Sequence, residues 1–475
     1  MTLPEGWELV VGMEVHTELL TKSKLFCGCE NHFGSEPNTN ICPICLGLPG
    51  SLPVLNKDAV ELAMRIGMAL NCTIAPSTFH RKNYFYPDQS KDYQISQYDL
   101  PINSNGYLNL PDGSQVTIER AHMEEDTGKS THLGGSGRLA GADRSLVDYN
   151  RCGVPLVEIV SGPDIRSSEQ ARAYASELRG ILIATGASDG RLEEGSMRFD
   201  ANVSVRKTGD PLGTRCEIKN LNSLRSLQRA IDYEAARQVE LILEGGTVRQ
   251  ETRHWDEGIG ETSTLRVKED AEDYRYFREP DLTELVPDQP WQDRVRAALP
   301  PMPAARRAKL LERIPGATKA QEDAVVVVID LDLEHFVNAA ADGGAEISIA
   351  VSRAANELAA GIDTLSNLTT AAFTQTVLME SKGELSATQS KVVLGELLAN
   401  GGDPKKIAAE KGFEQMSSDS LGATIDDLIA KNPDEWQRYK DGDDKLSQFF
   451  VGQAMKQTQG KANGKAVIAE LQLRK

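Results

Sequence analysis

The chain has 475 residues, with 70 acidic against 52 basic side chains and a net charge of −18. It is long enough for about three domains at the usual ~150 residues each, and too acidic to coat nucleic acid along its whole surface. No apolar run approaches the roughly 20 residues of a membrane span, and the start at Met1 lacks the basic and apolar regions of a signal peptide. A cytoplasmic protein with no membrane partner is expected.

From Trp7 to Leu19 the pattern predicts a strand. Gly12, Glu14, His16 and Glu18 share one face, and Met13 and Val15 take the other. Either the polar face meets solvent, or Glu14 and His16 point into a site. Next come Cys27-Gly28-Cys29 and Cys42-Pro43-Ile44-Cys45, two close thiol pairs on two turns. Four thiolates close a tetrahedral shell around Zn²⁺ and leave no position for water, so Cys27, Cys29, Cys42 and Cys45 are expected to hold a structural zinc. An odd total of seven cysteines, four of them before residue 46, fits a metal site in a reducing compartment better than a disulfide framework. Cys72, Cys152 and Cys216 stand alone and read as buried apolar residues.

The segment from Phe79 to Gln97 concentrates His80, Arg81, Lys82 and Lys91 with Phe79, Tyr84, Phe85 and Tyr86 in a chain with only 5% aromatic residues. Cations neutralise phosphate oxygens and aromatic faces stack a base or a guanidinium, so the mixture suits a phosphorylated ligand. It equally fits a proline-punctuated loop with half-buried rings. A second acidic cluster, His122-Met123-Glu124-Glu125-Asp126, precedes Gly128 and Lys129. With Glu14 and His16 it could hold Mg²⁺, a hard cation that accepts carboxylates; acidic runs are otherwise solvated faces.

Gly134-Gly135-Ser136-Gly137 lacks the Gly-Lys-Ser/Thr of a phosphate loop and reads as a connection. Residues 197–206 alternate, presenting Arg198, Asp200, Asn202, Ser204 and Arg206 on one face, and Arg215, Glu217 and Lys219 repeat the device. Two such strands form either the floor of an active cradle or a sheet face open to water. No Gly-x-Ser-x-Gly elbow supplies a nucleophile for amide hydrolysis.

Six prolines between Pro280 and Pro303 mark a linker, beyond which the periodicity is helical, and Gly401-Gly402-Asp403-Pro404 breaks that half again. The expected class is α+β: a mainly antiparallel-sheet cradle domain over 1–295, an all-α domain over 296–405 and a small helical tail over 406–475. From Lys445 to Lys475 the tail has six cations against Glu470 alone, which is either a local basic face or a solvated helix pair.

Several motifs in one order carry a family resemblance across nearly the whole chain. They are Val11-Gly12-Met13-Glu14-Val15-His16, the cysteine segment ending Leu46-Gly47-Leu48-Pro49-Gly50, Arg81 to Gln97, His122 to Lys129, Asp148-Tyr149-Asn150-Arg151, Val157-Glu158-Ile159-Val160 and Cys216-Glu217-Ile218-Lys219-Asn220. They resemble the GatB family, the B subunits of the glutamine-dependent aspartyl/glutamyl-tRNA amidotransferases. The tail, with Phe450 to Lys456 and Gly460 to Asn463, is similar to the family's YqeY-like tRNA-contacting domain.

The resemblance implies an ATP- and Mg²⁺-dependent transamidation of Asp-tRNA(Asn) or Glu-tRNA(Gln). It implies Glu14, His16, Glu124 and Glu125 as catalytic and, with Glu217, as magnesium ligands. Lys82, Tyr84, Lys91, Arg198 and Lys219 become candidate ATP or substrate contacts. Ammonia would come from the separate amidase (glutaminase) subunit of such an enzyme, with its small third subunit holding the pair together. The other readings are a non-catalytic tRNA-binding scaffold and an independent metal-dependent nucleotidyl- or phosphohydrolase.

Overall fold

The computed structural model describes residues 3–83, 85–134, 141–267, 274–413, 418–458, 462 and 464–475. It divides into two compact units, Met1–Pro303 and Ala304–Lys475. The class is α+β, as the sequence patterns indicate.

The first unit contains strands β1 (Trp7–Glu18), β2 (Thr73–Ile74), β3 (Phe79–Asn83), β4 (Tyr93–Gln97), β5 (Asn103–Asn109), β6 (Gln115–Glu125), β7 (Lys129–Leu133), β8 (Arg144–Asp148) and β9 (Pro155–Ser161). It continues with β10 (Met197–Lys207), β11 (Cys216–Leu221), β12 (Glu251–Asp256), β13 (Glu261–Val267) and β14 (Phe277–Arg278). Its helices are α1 (Lys57–Ala69), α2 (Ser168–Ala184), α3 (Leu224–Leu243) and α4 (Gln289–Ala297). All strands but β7 and β8 join one 12-stranded sheet with the order β13-β12-β11-β10-β1-β9-β6-β4-β3-β14. Pairing along that path is antiparallel except between β11 and β12.

Alternation in β1 sorts its side chains into two layers. Val11, Met13 and Val15 are fully buried in one apolar cluster with Met64 of α1, Leu178 of α2 and Ile231 of α3. Helices cover that face because their own stripes need it: Asn56, Ser167 and Ser223 cap α1, α2 and α3 by accepting from backbone N–H groups of the first turn. The opposite face keeps the polar residues. Register then lines them up, with Glu14 opposite Asp200, His16 opposite both Arg198 and Glu158, and Glu158 opposite His122.

Among its described residues the second unit has helices and no strand. It holds α5 (Pro303–Glu312), α6 (Lys319–Asp330), α7 (Glu334–Asp342), α8 (Ile347–Arg353), α9 (Thr370–Ser381), α10 (Ala387–Asn400), α11 (Pro404–Glu410), α12 (Ser418–Lys431), α13 (Pro433–Lys440), α14 (Leu446–Gln457) and α15 (Gly464–Arg474). Its buried apolar residues form two clusters, one from Leu310 to Ala408 and one from Leu421 to Leu471. The expected division at 405/406 falls inside α11, whose Ile407 and Ala408 belong to the first cluster, and the division at 295 falls inside α4. In the tail, Arg474 is paired to Asp426 and Lys475 to Asp444, while Lys445 and Lys456 are exposed. Lys461 and the side chain of Lys465 lie outside the described residues, as do residues 135–140 of the glycine-rich connection.

Two glycines separate close packing from open helix. A Cβ on Gly67 of α1 would fall 1.9 Å from Asn103 Oδ1. Asn103 is fully buried and donates to the carbonyls of Ala63 (3.0 Å) and Ala121 (2.9 Å). Gly67→Ala should therefore destabilise the protein by about 2–4 kcal/mol through overpacking and the loss of the two hydrogen bonds that Asn103 donates. Gly395→Ala, exposed in α10 with nothing within 4 Å, should stabilise by about 0.5–1 kcal/mol. Chemical denaturation of both variants checks the opposite signs.

Candidate active site

On the polar face of the sheet lies a cavity of about 710 Å³, lined among others by His16, Lys82, Glu124, Arg198, Asp200 and Lys219. Two acidic groups lie on this face and reach the cavity lining through His16 and Glu124 and through Asp200. In the first, His16 Nε2 is 3.8 Å from Glu124 Oε1 and 3.7 Å from Glu158 Oε2, and His122 Nε2 is 3.4 Å from Glu158 Oε2. In the second, Glu14, Asp200 and Glu217 converge from β1, β10 and β11. Within each group of three, one ligand atom per residue lies within 4.8 Å of the others. Oxygen-rich sets of that spacing can hold a divalent cation.

Cations interleave with the carboxylates. Lys219 Nζ lies 2.5 Å from Asp200 Oδ2 and 3.4 Å from Glu217 Oε1. Asn202 Nδ2 donates to Glu14 Oε1 at 2.8 Å, and its amide oxygen is buried without a hydrogen-bond partner. Arg198 and Arg151 both reach Asp126 Oδ2, at 2.9 and 3.4 Å. Burial raises the Glu124 carboxyl above its usual range, and the nearby Lys82 ammonium offsets only part of that. Burial also opposes ionisation of Glu158, but His122, His16 and Lys82 outweigh it and hold that carboxyl at about 2. Burial drives His122 down to about 4 against the attraction of Glu158, so its ring is neutral near pH 7. Lys82 is pulled both ways: burial lowers it, and Glu124 with its neighbours carries it above its ordinary value. Three positive side chains thus remain charged beside the acidic floor.

Strand parity splits the expected residues. His16, Glu124, Lys82, Arg198 and Lys219 line the cavity, and Glu14 and Glu217 join Asp200 of that lining. Glu125 does not, because the residue after Glu124 points to the other face of β6. There its carboxylate pairs with Lys91 and accepts from Ile95 N at 2.9 Å. Lys91 is consequently an ion-pair partner away from the cavity lining. Tyr84 lies outside the described residues. Two carboxylates of these groups were not assigned a role from the sequence. Asp200 shares parity with Arg198 in the alternating segment, and Glu158 is the one charge in an apolar strand, a signal that finds it once a partner strand is known.

The four expected cysteines also converge. Cys45 Sγ lies 3.6 Å from Cys27 Sγ, 3.7 Å from Cys42 Sγ and 3.9 Å from Cys29 Sγ. A tetrahedron of sulfurs about 2.3 Å from a central ion has edges of roughly 3.8 Å. The buried Lys24 ammonium sits 3.5 Å from Cys45 Sγ. A hydrogen bond from Cys27, with the Lys24 charge adding to it against burial, brings the Cys45 thiol down to about 4. A thiolate is therefore the resting form at that corner. Cys72, Cys152 and Cys216 are buried, apart from this group.

The Lys91–Glu125 pair is almost fully buried, with side chains 6% and 4% exposed. Lys91→Met alone should cost about 3–5 kcal/mol, because it strands a buried carboxylate, and adding Glu125→Gln should recover part of that loss. Equilibrium unfolding of the single and double variants measures the difference.

Comparison with known proteins shows the family. The GatB/GatE catalytic domain model matches residues 9–293, and the GatB domain model matches residues 336–474. A protein of Carboxydothermus hydrogenoformans, named as the B subunit of an aspartyl/glutamyl-tRNA(Asn/Gln) amidotransferase, is 47% identical over 97% of both chains. Proteins of the same name from Mycobacterium sp. (strain KMS), 48% identical over 98% of this chain and 96% of the relative, and Thermoanaerobacter sp. (strain X514), 46% identical over 96% and 97%, are equally similar in extent. With its cavity floor built from strands that the catalytic-domain model covers, the chain belongs to the GatB family of amidotransferase subunits.

Proposed function

We propose that the chain is the activating subunit of a tRNA-dependent amidotransferase. It would convert Asp-tRNA(Asn) and Glu-tRNA(Gln) to Asn-tRNA(Asn) and Gln-tRNA(Gln). The observation that carries the reading is the pair of acidic groups on one cavity floor, flanked by Lys82, Arg198 and Lys219, in a chain whose relatives bear the amidotransferase name over their full length.

The chemistry explains why such a floor is needed. A side-chain carboxylate resists attack by ammonia until one oxygen becomes a leaving group. Transfer of the γ-phosphoryl of ATP to that oxygen gives an acyl phosphate and ADP; ammonia then forms the C–N bond as the C–O bond to phosphate breaks. Lys82, Arg198 and Lys219 present charge to phosphate oxygens and to the substrate carboxylate. His16, Glu124 and Glu158, and separately Glu14, Asp200 and Glu217, fit Mg²⁺ by donor type and spacing. When bound, the metal offsets charge on the transferring phosphoryl group.

Ammonia in this reading comes from a separate amidase subunit, held in place by a small third subunit, since the sequence has no hydrolytic serine elbow. The four thiolates hold Zn²⁺ as a structural ion, their shell being complete. The second unit meets tRNA, with exposed Lys445 and Lys456 available to phosphates. No helix among the described residues is long and apolar enough to cross a membrane, which fits a cytoplasmic setting beside the translation machinery.

Glu124→Gln should lower ATP-dependent amidation by about 100-fold or more while tRNA affinity stays unchanged, because the side chain acts on the phosphoryl group and not on the polynucleotide. Near-normal amidation at saturating Mg²⁺ would refute the reading. Metal analysis of freshly reduced protein should find about one zinc per chain, and Cys42→Ser should lose both the ion and thermal stability.

A further inference from the structure

We propose that Tyr98 and Tyr276 form a stacking platform for the 3′-terminal base of the aminoacyl-tRNA at the rim of the cavity. Tyr98 directly follows β4 and Tyr276 directly precedes β14, the strands that flank β3 in the sheet. Their rings meet in a parallel stack, with centroids 4.0 Å apart and planes at 6°. His80 of β3 packs edge-on against Tyr98 at 5.9 Å, and Tyr274 edge-on against Tyr276 at 6.2 Å.

A stack that served only packing would be covered. Tyr98 is instead 44% exposed although Tyr276 covers one face. An aromatic ring backed on one face and still accessible to solvent can accept a third flat ring, as base-stacking tyrosines do in single-strand binders. Behind the Tyr98 ring His80 is itself held, its Nε2 facing Asp99 at 3.6 Å.

The platform leads into the site. Lys82, two residues beyond His80 on the same face of β3, lines the cavity and carries its ammonium 4.9 Å from the Tyr274 ring centroid. Tyr276 lies within electrostatic reach of Lys82, Glu124 and Glu158. Two residues of strand advance about 6.6 Å, a gap that a ribose and its aminoacyl ester bridge. A base on Tyr98 then delivers the aminoacyl carboxylate to the cations and acidic groups of the floor. Neither Tyr98 nor Tyr276 lines the cavity. A base held on the stack would therefore sit outside the cavity, as the last base of a polynucleotide does when only its aminoacyl end enters, which favours the terminal base of tRNA over the base of ATP.

The inference rests on the activation reading above, and the experiment keeps the two apart. In the chain assembled with its amidase partner, Tyr98→Ala should raise KM for aminoacyl-tRNA by about 10-fold or more and leave KM for ATP unchanged, while Tyr98→Phe stays near wild type. Aminoacyl-tRNA made abasic at its last nucleotide should bind equally poorly to wild type and Tyr98→Ala. A rise confined to KM for ATP, unchanged values for both substrates, or a Tyr98→Ala effect that persists with the abasic tRNA would each overturn the platform. If the wild-type assembly shows no ATP-dependent amidation, the activation reading falls instead, and the Kd of intact and abasic tRNA for wild type and Tyr98→Ala decides the platform alone.

Discussion

The two-residue period of β1, held between β9 and β10, is the constraint on which the site depends. A strand side chain cannot change face without moving its whole strand by one residue, and such a slip here would carry Met13 and Val15 into the cavity and Glu14 and His16 into the apolar cluster. Burial of Val11, Met13 and Val15 under the helices forbids that slip. The same burial therefore fixes which carboxylates meet across the strands. Register between β1, β9, β6 and β10 does the rest, assembling each acidic group from three strands far apart in the chain.

Keeping so many charges on a shielded floor is costly, and the structure offsets the cost with alternating sign. Asp126 is the clearest case: burial opposes its ionisation, yet Arg198 and Arg151 hold its carboxyl below the usual range. The acidic groups keep donors within reach but are not neutralised outright, as Glu124 shows by remaining raised.

The cysteine knuckle contributes to the same order from the other side of β6. Ser90 donates to the Cys45 carbonyl at 2.6 Å, and Gly47, with φ of +62°, lies so close to Lys91 that a Cβ there would fall 2.5 Å from its Cγ. Only glycine both adopts that backbone and leaves room for the lysine stem. The knuckle thus packs directly on the Lys91–Glu125 pair, one residue from Glu124. The four-cysteine group thus bears on the cavity through packing.

Much was legible in the sequence because it rests on local chemistry. Alternation from Trp7 to Glu18 and from Met197 to Lys207 sets strand type and faces, cysteine spacing sets the four-sulfur shell, and helical periodicity beyond Pro303 sets the second unit. The pairings across strands were not legible. His80, Arg81 and Lys82 read as one basic cluster, yet parity sends Lys82 into the cavity and Arg81 to a two-point contact with Glu279 at 2.7 and 2.9 Å. Glu124 and Glu125 read as one acidic pair and divide in the same way. Glu158 joins His16 and His122 only because β9 lies between β1 and β6. Sequence alone determined which side chains share a face, since that follows from backbone geometry residue by residue. Which faces meet was decided by strand order and register, because burial of the opposite, apolar side selects them over the whole sheet.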